Sequence, residues 1–444
     1  MKKTLSRLFF FILCSSQLWG EILTFSRAYE LALQNDHALK SAQYQVESGA
    51  EKVNQVKASL YPQVDFSAYY SKAEYKYNPD FGGNMVRQGL YSYGLSLSQT
   101  LYNPVLFANI KVQKIQQSIY KEKLSLQKIA LAQKTFQAYL ELLKSNNKVE
   151  LLQSYKRVQE SKLKEARKKY TMNLVSRVDM LQAKVDFESI EIDLQKEKKH
   201  YKVALLKLKS IIGNKSFELP VIHINDKILE NIDNMKNFIV NNKQNFQNNL
   251  EIKIAQNGTK LAVKKINQAT AEHYPSVDLS ANFIRYGTDT PTIDYSYDYT
   301  DRVMVTVNIP LFSGWATSSK ISEAKLLKKA AVEDLYSAQE KAVVDRDEYF
   351  SKFETAIDSL AMYHRAFQSA TVYVEAMDES FKHGLKSIID VNEANSKLYE
   401  VKYKYIDNIN ELVDAYINLL IIMNNFEGMK YLDNILELNY KNHI

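Results

Sequence analysis

Two periodicities take turns along this chain. Val64, Phe66, Ala68 and Tyr70 alternate with Asp65, Ser67, Tyr69 and Ser71. After Pro79, Gly82 and Gly83, the series Tyr91, Tyr93, Leu95 and Leu97 alternates with Ser92, Gly94, Ser96 and Ser98. A period of two is that of a strand with one apolar face. The pattern returns later: Val277, Leu279, Ala281 and Phe283 alternate with Asp278, Ser280 and Asn282. Beyond Pro291, Val303, Val305, Val307 and Ile309 alternate with Arg302, Met304, Thr306 and Asn308. Four strands are predicted, as hairpins over 62–102 and 275–312.

The other period is helical. Residues 24–60 predict one helix, stopped before Pro62 because proline disfavours helix in the residue ahead of it. No glycine or further proline occurs between Pro104 and Lys169, so that stretch predicts a helix on the order of 100 Å long at ~1.5 Å per residue. The chain reverses near Asn173 and Leu174, and a second long helix runs from Ser176 to Ile212. Its apolar positions Met180, Ala183, Phe187, Ile190, Leu194, Tyr201, Ala204 and Leu208 keep the alternating three-four spacing of a coiled-coil seam, with Glu197 as the polar member. Residues 214–248 read as a linker with a short helix, and 249–272 as a helix ended by Pro275. A long helix over 315–382 turns at His383 and Gly384. The last helix carries the seam Val391, Ala394, Leu398, Val401, Tyr405, Leu412, Ala415 and Leu419, interrupted at Asn408. Residues 425–444 read as an exposed tail.

The second half repeats the first. Ala58 to Ala68 and Ala271 to Ala281 share Ala-x-x-Tyr-Pro-x-Val-Asp-x-Ser-Ala, with Tyr274 lying 213 residues after Tyr61. Half of the protein is therefore duplicated: 21–213 is one repeat and 249–424 the other. Even the polar seam positions, Glu197 and Asn408, correspond.

Composition narrows the class. Met1 to Arg7 is basic and Leu8 to Cys14 apolar, the pattern of a secretory signal peptide over residues 1–20. Leu13 is bulky for a lipid-attachment site at Cys14. Cys14 is the one cysteine in the sequence, so no disulfide or thiol chemistry is expected in the exported chain. Loss of the leader lowers the formal charge from +7 to +4, too mild to suggest nucleic acid. No later run reaches the ~18 apolar residues of a membrane helix; a membrane would have to be crossed by strands. Each predicted strand is long enough, at ~9–11 residues, to cross a bilayer. Phe66, Tyr70, Tyr91, Tyr93, Tyr102, Phe283, Tyr286 and Phe312 suit interfacial girdles. Four strands cannot close a barrel, and an open edge in lipid leaves backbone groups without partners. Eight strands from a dimer would be filled by side chains, whereas twelve from a trimer leave a lumen.

These junctions, together with Leu95-Ser96-Leu97-Ser98-Gln99-Thr100-Leu101-Tyr102, Val305-Thr306-Val307-Asn308-Ile309-Pro310-Leu311-Phe312 and the two helix turns, resemble the TolC-type outer-membrane efflux and secretion channels. The resemblance implies an α+β membrane protein: a long α-helical coiled-coil barrel plus four β-strands per chain, contributing to a trimeric 12-stranded outer-membrane β-barrel. It implies an outer-membrane location with a periplasmic helical extension, and a homotrimer docked to a periplasmic adaptor and an inner-membrane pump of RND or ABC type. The function implied is a passive exit duct for efflux or type I secretion.

The turns are where candidate chemistry lies. Asn173 and Gly384 correspond and tolerate the left-handed backbone that ends helices. Ser176-x-x-Asp179 and Ser387-x-x-Asp390 resemble capping boxes. The resemblance places acidic rings at Asp390 and Glu393, three copies of each making a cation-attracting constriction. It places gate contacts at Lys386 and Phe381, with Asp179 as acidic partner, and adaptor docking at the tips Asn173, Leu174, Gly384 and Leu385. One member of that family has arginine where Lys386 stands and aspartate where Glu393 stands; lysine lacks the planar two-pronged fork. A bland alternative makes Asp179 and Asp390 helix caps only.

The seven histidines are scattered, and no phosphate loop, nucleophile elbow or zinc motif occurs. No enzyme, metal or cofactor is expected. The competing reading is a non-conducting periplasmic coiled-coil scaffold, which accounts for the heptads but not for four alternating segments.

Overall fold

The computed structural model describes residues 23–75, 86–214, 216–219, 227–242, 248–288 and 299–432. The predicted leader, the loop prolines Pro79 and Pro291, and Pro220 lie outside them.

The N-terminal segment differs from its prediction. It forms two helices, α1 (Phe25–Asn35) and α2 (His37–Ala58), parted at Asp36. Asp36 is extended, with φ −69° and ψ 118°, and its carboxylate accepts the Leu39 amide at 2.6 Å. The break has a packing cause. Phe25, Ala28, Leu31 and Ala32 of α1 are buried in the waist core, whereas α2 lies along the next long helix, where Gly49 admits the Tyr120 ring to contact.

Strands β1 (Gln63–Tyr75) and β2 (Val86–Tyr102) pair antiparallel, with Phe66 opposite Leu95 and Tyr70 opposite Tyr91. Asn103 caps α3 (Pro104–Thr171), accepting from the Leu106 amide, and Pro104 starts it where a missing N–H costs nothing. At 68 residues α3 is about 100 Å long. It is followed by α4 (Arg177–Ile212), α5 (Lys227–Asn241) and α6 (Leu250–Ala271). The second hairpin is β3 (Ser276–Thr288) and β4 (Tyr299–Asn308), and the last long helices are α7 (Ala316–Lys382) and α8 (Ile388–Ile422).

All four strands form one sheet in the order β1-β2-β3-β4. The junction of the hairpins, β2 with β3, sets Leu95 opposite Phe283 and Leu97 opposite Ala281; β4 adds Val303 opposite Ala281. The predicted apolar rows therefore fuse into one apolar face across four strands. Among the described residues, the outer edges of β1 and β4 have no strand partner in the chain.

Below the sheet, α4 packs along α3, α8 along α7 and α3, and α6 joins α3 to α7. The largest core is at the waist, where α1, α5 and the middles of α3, α7 and α8 converge on Phe25, Phe136, Tyr139, Phe353, Tyr405 and Tyr416. The predicted linker thus supplies a core helix, with Ile232, Met235 and Ile239 buried. The predicted exposed tail also differs: Met429 and Leu432 are buried in this core, and the Tyr416 hydroxyl donates to the Gly428 carbonyl at 3.1 Å. A 3-10 turn at Phe426–Gly428 bends the chain back. Residues 433–444 lie outside the described set.

Candidate gate at the helix tips

Both helix reversals are built in the same way. Asn173 has φ 58° and Gly384 φ 72°. The Leu174 amide donates to the Lys169 carbonyl and Asn173 to Tyr170; Leu385 donates to Ser380 and Gly384 to Phe381. These are the paired closing bonds of the Schellman motif, which satisfy carbonyls a helix end would otherwise leave without partners. Each next helix then starts in a capping box. The Ser176 amide donates to Asp179 Oδ2 at 3.1 Å, and the Asp179 amide donates back to Ser176 Oγ. At the second tip the Ser387 amide donates to Asp390 Oδ2 at 2.8 Å, and the Asp390 amide to Ser387 Oγ at 3.2 Å.

Asp179 and Asp390 are therefore helix caps in the folded chain. Capping keeps Asp390 charged. The Ser387 backbone amide, then its hydroxyl, then the charge of Lys386 hold the Asp390 carboxyl below its ordinary range. Glu393 is exposed one turn along α8, so the two carboxylates lie three residues apart on neighbouring positions of one helix.

Phe381 is brought into contact with the first helix pair. Only 8% exposed, it packs with Met377 and Val391. The Lys169 ammonium stands 3.7 Å from its ring centroid and that of Lys162 5.5 Å, both from α3. Lys162 also pairs with Asp378 at 2.5 Å. Lys386 is not brought to Asp179: its side chain is exposed, and Asp179 is engaged by Ser176. Lys162, Lys169 and Asp378 were invisible to sequence reasoning, since Lys162 and Asp378 are 216 residues apart and neither sits in a motif. The tips also present aliphatic side chains to solvent: Met172, Leu174 and Val178 at the first, Leu385 and Ile389 at the second.

Higher up, the polar seam position Glu197 accepts from Ser145 at 2.7 Å and pairs with Lys148 at 3.2 Å. Burial opposes its charge, but these two partners and His200 outweigh it and hold the carboxyl below its usual value.

Among the described residues, no group of three His, Cys, Asp or Glu side chains is placed to hold a metal ion. No described helix is long and apolar enough to cross a membrane. What the geometry provides is a four-stranded sheet with one apolar face, about 100 Å of paired helices, and a second tip where Asp390 and Glu393 lie on neighbouring positions.

Comparison with known proteins agrees with this layout. The model of the family described as "Outer membrane efflux protein" matches residues 28–214 and 243–425. The chain is similar to the outer membrane protein TolC of Vibrio cholerae, at 24% identity covering 90% of this chain and 92% of that one. It is also similar to the proteases secretion protein PrtF of Dickeya chrysanthemi, at 21% identity with 85% of each chain covered. Among solved structures, CusC superposes with a TM-score of 0.78 over 91% of this chain and 93% of that one, at 16% identity.

Proposed function

The chain belongs to the outer membrane efflux protein family and is an outer-membrane transport channel rather than an enzyme, and from that premise we propose that three copies form a passive exit duct gated at its periplasmic helix tips. The observation that carries the proposal is the sheet: four strands, one continuous apolar face, and two edges with no strand partner among the described residues. In hydrocarbon each unpaired backbone group costs several kcal/mol, on the order of the penalty for any buried polar group without a partner. Pairing β1 of one copy with β4 of the next removes both edges, and three copies give twelve strands around a lumen, where eight would be filled by side chains.

The helices then continue the lumen into the periplasm, and Asp390 and Glu393 ring its mouth. Three copies supply six carboxylates, a cation-attracting constriction. Phe381, Lys386 and Asp179 are the gate residues of this reading, with Phe381 joining the hairpins and Lys386 offsetting part of the Asp390 charge. The exposed tips Asn173, Leu174, Gly384 and Leu385 dock a periplasmic adaptor that links the duct to an inner-membrane pump. The duct needs no chemistry of its own.

Planar-bilayer recording of the purified trimer tests this. A cation-preferring conductance that weakens in Asp390→Asn with Glu393→Gln is expected. Anion preference, unchanged by those substitutions, would remove the acidic constriction; a monomeric protein that washes off membranes in salt or urea would remove the duct.

A further inference from the structure

We propose that in this chain the closed mouth is latched by Lys162 and Lys169 of α3 acting on Asp378 and Phe381 of α7. The latch rests on the gated-duct reading above and names the side chains that hold that gate shut.

The seams within the hairpins and the seam between them differ in kind. Within the first hairpin, Leu163 and Ala166 of α3 meet Ala183 of α4, with Phe187 beside them. Within the second, Met377 and Phe381 of α7 meet Val391 of α8. Water cannot replace those contacts, so each hairpin moves as a unit. Between the hairpins the Tyr155 and Tyr399 rings stack at 4.9 Å, and the other contacts toward the tip are polar. The Tyr155 and Ser396 hydroxyls are 2.6 Å apart, Asn392 Nδ2 donates to Asp186 Oδ2 at 3.2 Å, and Lys162 Nζ lies 2.5 Å from Asp378 Oδ1. Polar groups can trade such partners for water when a seam opens. The plane of lowest resistance therefore runs between the hairpins, and whatever spans it sets the resting state.

Two ammonium groups span it close to the mouth. The Lys162 side chain is only 14% exposed, and an ammonium so enclosed needs its carboxylate partner. Asp378 supplies it, and the Phe381 ring lies 5.5 Å away. Two turns further on, the Lys169 ammonium sits 3.7 Å from the centroid of the same ring, steadied by Glu165 at 3.1 Å. Seven residues separate the two lysines, and three separate Asp378 from Phe381, so each pair shares one helix face. The result is a two-point grip by α3 on the last turns of α7. Of the residues that family resemblance offers for the role, Phe381 spans the seam within the chain, whereas Asp179 closes its own capping box and Lys386 is exposed beside Asp390.

Single-channel recording on the full-length trimer tests the latch, with trimer integrity checked by gel migration of unheated samples. Lys162→Met and Asp378→Asn are each expected to raise the conductance several-fold, and Lys169→Met to raise it as well. Lys386→Ala is expected to change it less than any of these. The exchanged pair, Lys162→Asp with Asp378→Lys, is expected to return it toward the wild-type value because it re-forms the ion pair across the seam, while trimer integrity stays the same in all variants. A cation-preferring wild type whose conductance is unmoved by Lys162→Met and Asp378→Asn, but raised by Lys386→Ala, overturns the latch and leaves the duct standing. A wild-type trimer that conducts nothing under any condition removes the duct, and the latch with it.

Discussion

Asn173 and Gly384 hold the same left-handed backbone at corresponding points of the two repeats, φ 58° and φ 72°. One repeat uses the side chain that best tolerates this region after glycine, the other uses glycine itself. A Cβ at Gly384 would meet nothing within 4 Å, so the cost of Gly384→Ala is purely conformational. It is expected to destabilise the tip by about 1–2 kcal/mol, whereas Gly384→Asn, copying the first repeat, is expected to cost less. Hydrogen exchange at the Leu385 amide, which closes the turn, reads the difference. Equal protection in both variants would show that the turn is held by other contacts.

The Ser145–Glu197 hydrogen bond predicts both a mutational and a pH effect. Glu197→Ala leaves the Ser145 hydroxyl, 1% exposed as a residue, without its acceptor, and is expected to cost about 1–3 kcal/mol at neutral pH; Glu197→Gln keeps an acceptor and is expected to cost less. Because its partners hold the folded carboxyl below its ordinary value of 4.5, its contribution is fully present above that value and is lost as pH falls through the lower folded value. Thermal melts of wild type and Glu197→Ala should therefore converge as pH drops below 4.5. A gap that persists unchanged into strong acid would contradict the linkage.

The two faces of β2 should respond oppositely to charge. Leu95 lies in the apolar row with Phe66 and Phe283. Leu95→Arg is expected to destabilise the membrane-inserted form by up to about 2–4 kcal/mol. Ser96, on the opposite face, is expected to accept arginine with membrane insertion retained. Outer-membrane yield after urea washing measures both, and a reversed order would place the lumen on the wrong side of the sheet.

The residues after α8 predict a further stability effect. Leu432 is fully buried in the waist. Leu432→Ala is expected to cost about 2–5 kcal/mol through lost burial and the cavity left behind. An unchanged melting temperature would mean that this segment does not hold the core.

The sequence alone determined the elements, because their causes are local. Prolines at 62, 104 and 275 sit at element junctions, alternation over 64–70 and 277–283 permits only a one-sided strand, and Ser-x-x-Asp after Asn173 and Gly384 restarts each helix within three residues. Duplication made each assignment twice, and the two polar seam positions, Glu197 and Asn408, were both buried as a coiled-coil seam requires. What the tertiary structure decided is whatever depends on partners distant in the chain. The hydrophobic pattern over 24–60 does not register that Leu31 is buried in the waist core and Val53 outside it, so the break at Asp36 was illegible. Met429 and Leu432 read as isolated apolar residues in a polar tail until the waist provided a surface to bury them. Lys162 and Asp378 became a pair only when helices from opposite halves were laid side by side. A long charged side chain carries no periodicity that names its partner; the packing around it makes that choice.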